Sequence, residues 1–134
     1  MPITYEVHRD GHFIHALAGG NLTGRDFIDY ENKHAADKRL NSPVVELLEI
    51  SFGACKSLTR SDFEEVLEHR KKLKSPPVTH RCAILVTYGD NHCWSIAEFY
   101  SGMVNLHFPE NVIVFGDAQT ARIWLGVEEP ELTR

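Results

Sequence analysis

Five consecutive apolar residues, Cys82-Ala83-Ile84-Leu85-Val86, limit what this chain can fold into more than any other segment. A strand with one wet face alternates apolar and polar side chains. A strand without that alternation needs cover on both faces, the condition of an interior strand in a parallel sheet. The rest of the chain must therefore supply neighbouring strands and two covering layers.

Read from the start, the chain supplies them. Ile3, Tyr5 and Val7 alternate with Thr4, Glu6 and His8, the period of a half-buried strand. Asp10-Gly11 accepts the positive φ angles of a tight type I′ turn, and a second strand runs from about His12 to Ala18. Gly19-Gly20-Asn21 ends it. Thr23 with Asp26 three residues later marks a helix start, with Phe27, Ile28, Glu31 and Ala35 along one side and an end near Leu40, before Asn41-Ser42-Pro43. Val44 to Ile50 is the third strand. It holds Glu46 and Glu49, which alternation places on opposite faces, one of them near a strand end. Residues 51–58 form a loop. Thr59 with Asp62 repeats the start signal for a helix striped by Phe63, Val66, Leu67, Arg70 and Leu73 and stopped by Ser75-Pro76-Pro77.

After the apolar strand, Tyr88-Gly89-Asp90-Asn91 turns into a helix bearing Ile96, Phe99, Tyr100 and Met103. Val112 to Phe115 is a short fifth strand, and Gly116-Asp117 leads to a last helix with Ala118, Ala121, Trp124 and Leu125. The order ββαβαβαβα specifies an α/β fold. It is a single layered domain with a mostly parallel sheet of about five strands, right-handed crossovers, and one antiparallel strand from the N-terminal hairpin at or near an edge. The domain spans 1–127, and residues 128–134 read as a polar tail.

Composition narrows the function classes. A chain of 134 residues, 43% hydrophobic and 25% charged, buries enough surface to fold without disulfide or metal. A net charge of −5 argues against binding nucleic acid, whose affinity comes largely from Lys and Arg on phosphate. The basic cluster Arg70, Lys71, Lys72 and Lys74 closes a helix, where it complements the dipole. Three cysteines, Cys55, Cys82 and Cys93, are odd in number and lack a CxxC spacing, which points to reduced thiols and a cytoplasmic location. The first residues show no signal peptide, and no run of about 18 apolar residues would span a membrane.

Several local stretches carry a likeness beyond composition. These are Ile3-Thr4-Tyr5-Glu6-Val7, the Leu22-Thr23 helix start, the apolar third strand, Arg81-Cys82-Ala83-Ile84-Leu85-Val86, and Val112-Ile113-Val114-Phe115 followed by a helix ending in Trp124-Leu125. In order and spacing the chain resembles the STAS-like domains, the SpoIIAA-like fold of the sporulation anti-sigma-factor antagonists, and within that group an uncharacterised bacterial branch. The resemblance implies a non-enzymatic regulatory or protein-interaction module, with a protein partner or a homodimer as its mode of action. In the antagonists a serine after an aspartate opens the helix following the third strand and is phosphorylated by a partner kinase. The corresponding stretch here is Phe52-Gly53-Ala54-Cys55-Lys56-Ser57-Leu58. Ser57 falls on the phosphorylated position, with Thr59 beside it. Lys56 stands in place of the aspartate, and Leu58-Thr59 replaces the small Ser-Gly step.

The residues also suggest a second function. Tyr88, Asp90, His92, Cys93 and Trp94 follow the central strand and begin a helix, and open α/β sheets bind ligands beyond the carboxyl ends of their strands. A cysteine in a first helical turn has its thiolate favoured by the dipole. This segment is the candidate pocket of a small-ligand binder or thiol-dependent enzyme, although His92 and Cys93, adjacent on a helix, point about 100° apart and do not form a base–nucleophile pair alone. No cofactor motif occurs, neither GxGxxG nor GKT, and no GxSxG elbow. His80 and Cys82 lie two apart on one strand, and His8, His12 and His15 straddle the hairpin, but no HExxH or paired-Cys pattern specifies a metal. Glu64, Glu65 and Glu68 read as solvated helix charges. Trp94, Phe99, Tyr100, Met103 and Phe108 concentrate aromatic and Met surface near one helix; Phe99 and Met103 are expected in the core, while Trp94 and Tyr100 are open to either core or interface.

Overall fold

Five strands lie side by side in chain order: β1 (Ile3–His8), β2 (Phe13–Ala18), β3 (Val44–Ile50), β4 (Thr79–Val86) and β5 (Asn111–Phe115). The computed structural model describes residues 2–73 and 79–127. Lys74, the Ser75-Pro76-Pro77 helix stop and the tail from Glu128 lie outside the described residues. β1 pairs antiparallel with β2, and every later neighbour pairs in parallel. The connecting helices are α1 (Gly24–Ala35), α2 (Arg60–Lys72) and α3 (Asn91–His107), and α4 (Ala118–Leu125) follows β5.

Because the strands are added in one direction, each right-handed crossover delivers its helix to the same face. Phe27 and Tyr30 of α1, Phe63 and Val66 of α2, and Ile96 and Val104 of α3 share one core with Ile14, Ala16, Leu48, Ile84 and Val112. On the opposite face α4 and Val127 beyond it close a smaller core in which Ala121 and Leu125 meet Phe13, Leu47 and Ala83. β4 is therefore an interior strand covered on both sides, with Cys82, Ala83 and Ile84 all buried. That explains its lack of alternation. Full burial of a side chain such as Ile14 or Leu47 contributes about 1.5–3 kcal/mol.

The helix starts are as the sequence expects. Thr23 and Thr59 each accept the amide of the residue three positions on, Asp26 and Asp62, whose carboxylates return to the cap amide at 2.9 and 2.8 Å. These are reciprocal capping boxes with Asp serving for Glu. Asp90 caps α3 and Asp117 caps α4 in the simpler one-way form.

Four expectations need correction. The hairpin connection is a 3₁₀ turn over Arg9–Gly11 with His12, not a two-residue turn, because His8 pairs with Phe13. Arg9, Asp10 and Gly11 all have positive φ, and only glycine fits at position 11, where a Cβ would lie 2.2 Å from the Arg39 carbonyl. Helix α1 ends at Ala35 rather than near Leu40, since the Asp37 carboxylate takes the Arg39 amide and guanidinium and holds a turn. Its buried side chains are Phe27, Tyr30 and His34, while Ile28 and Ala35 are only partly buried. Arg70 is buried, in keeping with its place on the stripe of α2, and so stands apart from the exposed Lys71 and Lys72. Finally, β4 gains an extra residue opposite Val44/Val45, so His80 is unpaired and exposed while Cys82 is buried.

Candidate functional site at the carboxyl end of the sheet

Parallel strands send their following loops out at one end of the sheet. Here that brings together residues 51–59 after β3, residues 87–90 after β4, and Gly116 after β5. Asp90 joins the first two. Its Oδ1 accepts the Cys93 amide as the α3 cap at 3.2 Å, and its Oδ2 accepts the Gly53 amide at 2.8 Å. The His92 ring bonds the Leu58 carbonyl through Nε2 at 2.9 Å, and Cys93 donates its thiol hydrogen to Cys55 Sγ at 3.3 Å. Ser57 Oγ donates to Asn21 Oδ1 at 3.1 Å, which adds the β2–α1 loop to the assembly. The two segments that the sequence offers as separate candidates thus form one continuous surface.

Their side chains divide between surface and interior. Tyr88 is 93% exposed, and Phe52 in the neighbouring loop is 67% exposed. Ser57 is exposed, and Thr59 is an exposed cap whose hydroxyl is bonded to Asp62. A cleft of about 520 Å³ opens beside them, lined by Thr87, Tyr88, Gly89, Asp90, Trp94 and Gly116, among others. Cys93, fully buried, does not line it, and neither does His92, whose ring is committed to Leu58. The arrangement can present aromatic surface and accept a planar group against Trp94. Cys93, with its thiol pKa raised by its hydrogen bond to Cys55 and by burial, is poorly suited to act as an attacking thiolate.

The amino end of the same sheet holds a different set, which no local motif reveals. Arg70 reaches from α2 to Glu110 Oε1 at 2.7 Å, to the Tyr100 hydroxyl at 2.9 Å and toward Glu31 at 3.7 Å, with its guanidinium 4.6 Å from the Phe108 ring centre. Thr79 donates to the other Glu110 oxygen, and Tyr30 donates to Glu46. His34 lies 3.4 Å from Glu31, and its Nδ1 has no hydrogen-bond partner among the described residues. A cavity of about 20 Å³, room for about one water, lies among Tyr30, Glu46, Arg70, Cys82, Tyr100 and Glu110.

Charge in this interior is unevenly settled. Burial pushes Glu46 up to about 7, with Glu31 and Glu110 adding to the rise against His34 and Tyr30. Burial also raises Glu110, only partly countered by Arg70. Glu31 goes the other way, to about 2, because His34 and Arg70 outweigh its burial. His34 rises to about 9, its burial overcome chiefly by Glu31. Three carboxyl groups thus face two cations, and below about pH 7 the proton held by Glu46 balances the set. One ligand atom each from Glu46, Cys82 and Glu110 lies within 4.8 Å of the others, a spacing that could hold a metal ion. Both Glu110 oxygens already accept hydrogen bonds, however, and Arg70 supplies the positive charge that a cation would bring.

No family model matches the chain, and no curated protein matches it in sequence. Among solved structures it is similar to an uncharacterised protein of the DUF3478 family with a SpoIIAA-like fold from Shewanella loihica PV-4. The match has 21% identity and a TM-score of 0.51, and it covers 92% of this chain and 93% of that one. Among the described residues no helix is long and apolar enough to cross a membrane. The mixed five-stranded sheet, the four helices and this likeness together show that the chain has a SpoIIAA-like α/β fold.

Proposed function

We propose that the protein is a non-enzymatic interaction module of STAS-like type that receives a protein partner on the carboxyl end of its sheet. The observation that carries the reading is the pair of exposed aromatics, Phe52 and Tyr88, on two loops fastened to each other through Asp90. Solvent-facing aromatic rings on a fixed backbone are what binding hot spots are made of. Ser57 belongs to the same surface and is its candidate phosphorylation site. A phosphate there would replace the Asn21 hydrogen bond with charge two residues before the α2 cap.

The test uses tagged full-length protein as bait in lysate from its own source. A specific partner should be retained by the wild type and by Leu106→Ser, which changes an exposed apolar residue on α3. It should be lost from the double variant Phe52→Ser/Tyr88→Ser. Equal retention by both variants would remove the proposed surface, and size exclusion of the purified wild type separates a second copy from a foreign partner. The cleft beside Trp94 favours a second reading, a small-ligand site lined by Tyr88, Asp90 and Trp94. Quenching of Trp94 fluorescence by a ligand that leaves Trp124 unaffected would distinguish it.

A further inference from the structure

The three cysteines are not equivalent. Cys82 sits at the amino end beside Glu46 and Glu110, with its thiol pushed far up by burial and by those carboxylates. Cys55 and Cys93 lie at the other end, both buried, with their sulfurs 3.3 Å apart. Cys55 belongs to the loop 51–59, and Cys93 to the first turn of α3. The loop is already held against that turn by Gly53 on Asp90 and by Leu58 on His92. We propose that Cys55 and Cys93 are a thiol pair that a hydroperoxide oxidises reversibly to a disulfide, cross-linking the β3–α2 loop to α3.

The geometry favours bond formation. A disulfide needs sulfurs about 2.05 Å apart, and these two already lie at 3.3 Å, with the loop tied to the helix start on either side of Cys55 by Gly53 and Leu58. The hydrogen bond donated by Cys93 lowers the Cys55 thiol and raises that of Cys93, so Cys55 is the first to react. Its thiolate attacks the distal oxygen of the peroxide, the O–O bond breaks, and alcohol or water leaves as Cys55 becomes a sulfenic acid. Oxidation of Cys55 removes the sulfur acceptor that holds the Cys93 thiol up, and the Cys93 sulfur then attacks the Cys55 sulfur, gives up its proton, and expels the hydroxyl as water. Two thiols and one hydroperoxide yield one disulfide, one alcohol and one water. Access comes through opening of the loop, whose Phe52, Lys56 and Ser57 face solvent. The inference does not depend on the partner surface proposed above, because its readout is a covalent bond within this chain.

The experiment exposes purified, reduced full-length protein to hydrogen peroxide, blocks residual thiols in denaturant, and maps peptides without reduction. Wild type and Cys82→Ser should both give a Cys55–Cys93 cross-linked peptide that thiol reductant reverses. The native protein should form it at least tenfold faster than the same protein held in urea. The oxidised form should melt roughly 10 °C higher, as expected for a cross-link closing a loop of this length in a domain of this size. Over-oxidation of Cys55 without a cross-link, a cross-link that includes Cys82, or equal rates in native and unfolded protein would each overturn the proposal. Because wild type and Cys82→Ser carry the test, it does not depend on whether Cys55→Ser or Cys93→Ser folds.

Discussion

The two ends of this sheet place similar residue types in opposite conditions. At the amino end, Arg70, Glu31, Glu46, Glu110 and His34 are drawn inside and meet one another. At the carboxyl end, Asp90 is tied to backbone amides, while Phe52 and Tyr88, which would be core residues elsewhere, stand in water. Charge is buried where helices cover the strand starts, and apolar surface is exposed where the loops emerge. The amino end therefore serves stability and is sensitive to charge. The carboxyl end is freer to vary in surface chemistry, because the bonds that fasten its loops, at Asp90 and His92, are made to backbone groups.

The largest effect should come from breaking the interior pair. Arg70→Met leaves Glu110 buried beside Glu31 without its cation, and removal of one member of such a pair costs about 3–5 kcal/mol. Urea unfolding should show a drop of that size with little change in slope. Arg70→Met/Glu110→Gln should recover a substantial part, because the unpaired charge is then gone. A double variant as unstable as the single one would mean that Arg70 acts through packing on Phe108 and not through charge.

Second in size is a pH dependence confined to the same end. Glu46 titrates near 7 in the folded protein against an ordinary 4.5, so between those values the folded chain holds a proton that the unfolded chain has released. Stability contributed by that proton is complete below 4.5 and declines as pH rises to 7. His34, near 9 against 6.5, contributes fully below 6.5 and loses its contribution as pH rises through 9. Glu31, near 2 against 4.5, contributes above 4.5 and loses it as pH falls toward 2. Together they set maximal stability at about pH 5 and a decline toward alkaline pH. Glu46→Gln, which stays neutral, should match wild type at pH 5 and exceed it at pH 8 by on the order of 2 kcal/mol. Parallel urea titrations at the two pH values check this, and a wild type of constant stability across the interval contradicts it.

The same contrast explains what the sequence made legible. Elements could be read because their signals are local: the Thr-x-x-Asp boxes at Thr23 and Thr59, the apolar run Cys82–Val86, and the alternation in β1 are each contained within a few residues. The carboxyl-end segment Tyr88–Trp94 could be named because it follows a recognisable interior strand. That it would meet the Ser57 loop could not, since the link is a hydrogen bond from Gly53 to Asp90 across 37 positions. The buried cluster was illegible for the same reason in a stronger form. Glu31 and Arg70 were placed on the stripes of their helices without partners, Glu46 was read as an interruption of a strand, and Glu110 drew no reading at all. Only tertiary packing turns four separate charges into one set. The stripe of α1 was misread because His34 and Tyr30 look polar in sequence, yet a histidine beside Glu31 can be buried. Phe52 went unmarked as a surface residue because exposure of an aromatic ring depends on where its loop leaves the sheet.

The smallest effect tests whether the carboxyl end is as lightly built as the comparison holds. Asp90→Ala removes the α3 cap and the bond to Gly53 together, both at backbone amides that water can reach once the loop relaxes. Loss of such a cap costs about 0.5–2 kcal/mol. Asp90→Asn keeps an oxygen for the cap and should cost only a fraction of that. Amide exchange at Gly53 should quicken in Asp90→Ala while the β4 amides stay protected, because the loop loosens and the interior strand does not. If Asp90→Ala instead destabilised the chain as much as Arg70→Met, the loops would be part of the cooperative core. The division of the sheet into a structural amino end and a permissive carboxyl end would then fail, since a surface that cannot relax locally has no more freedom to vary than the charges buried at the other end.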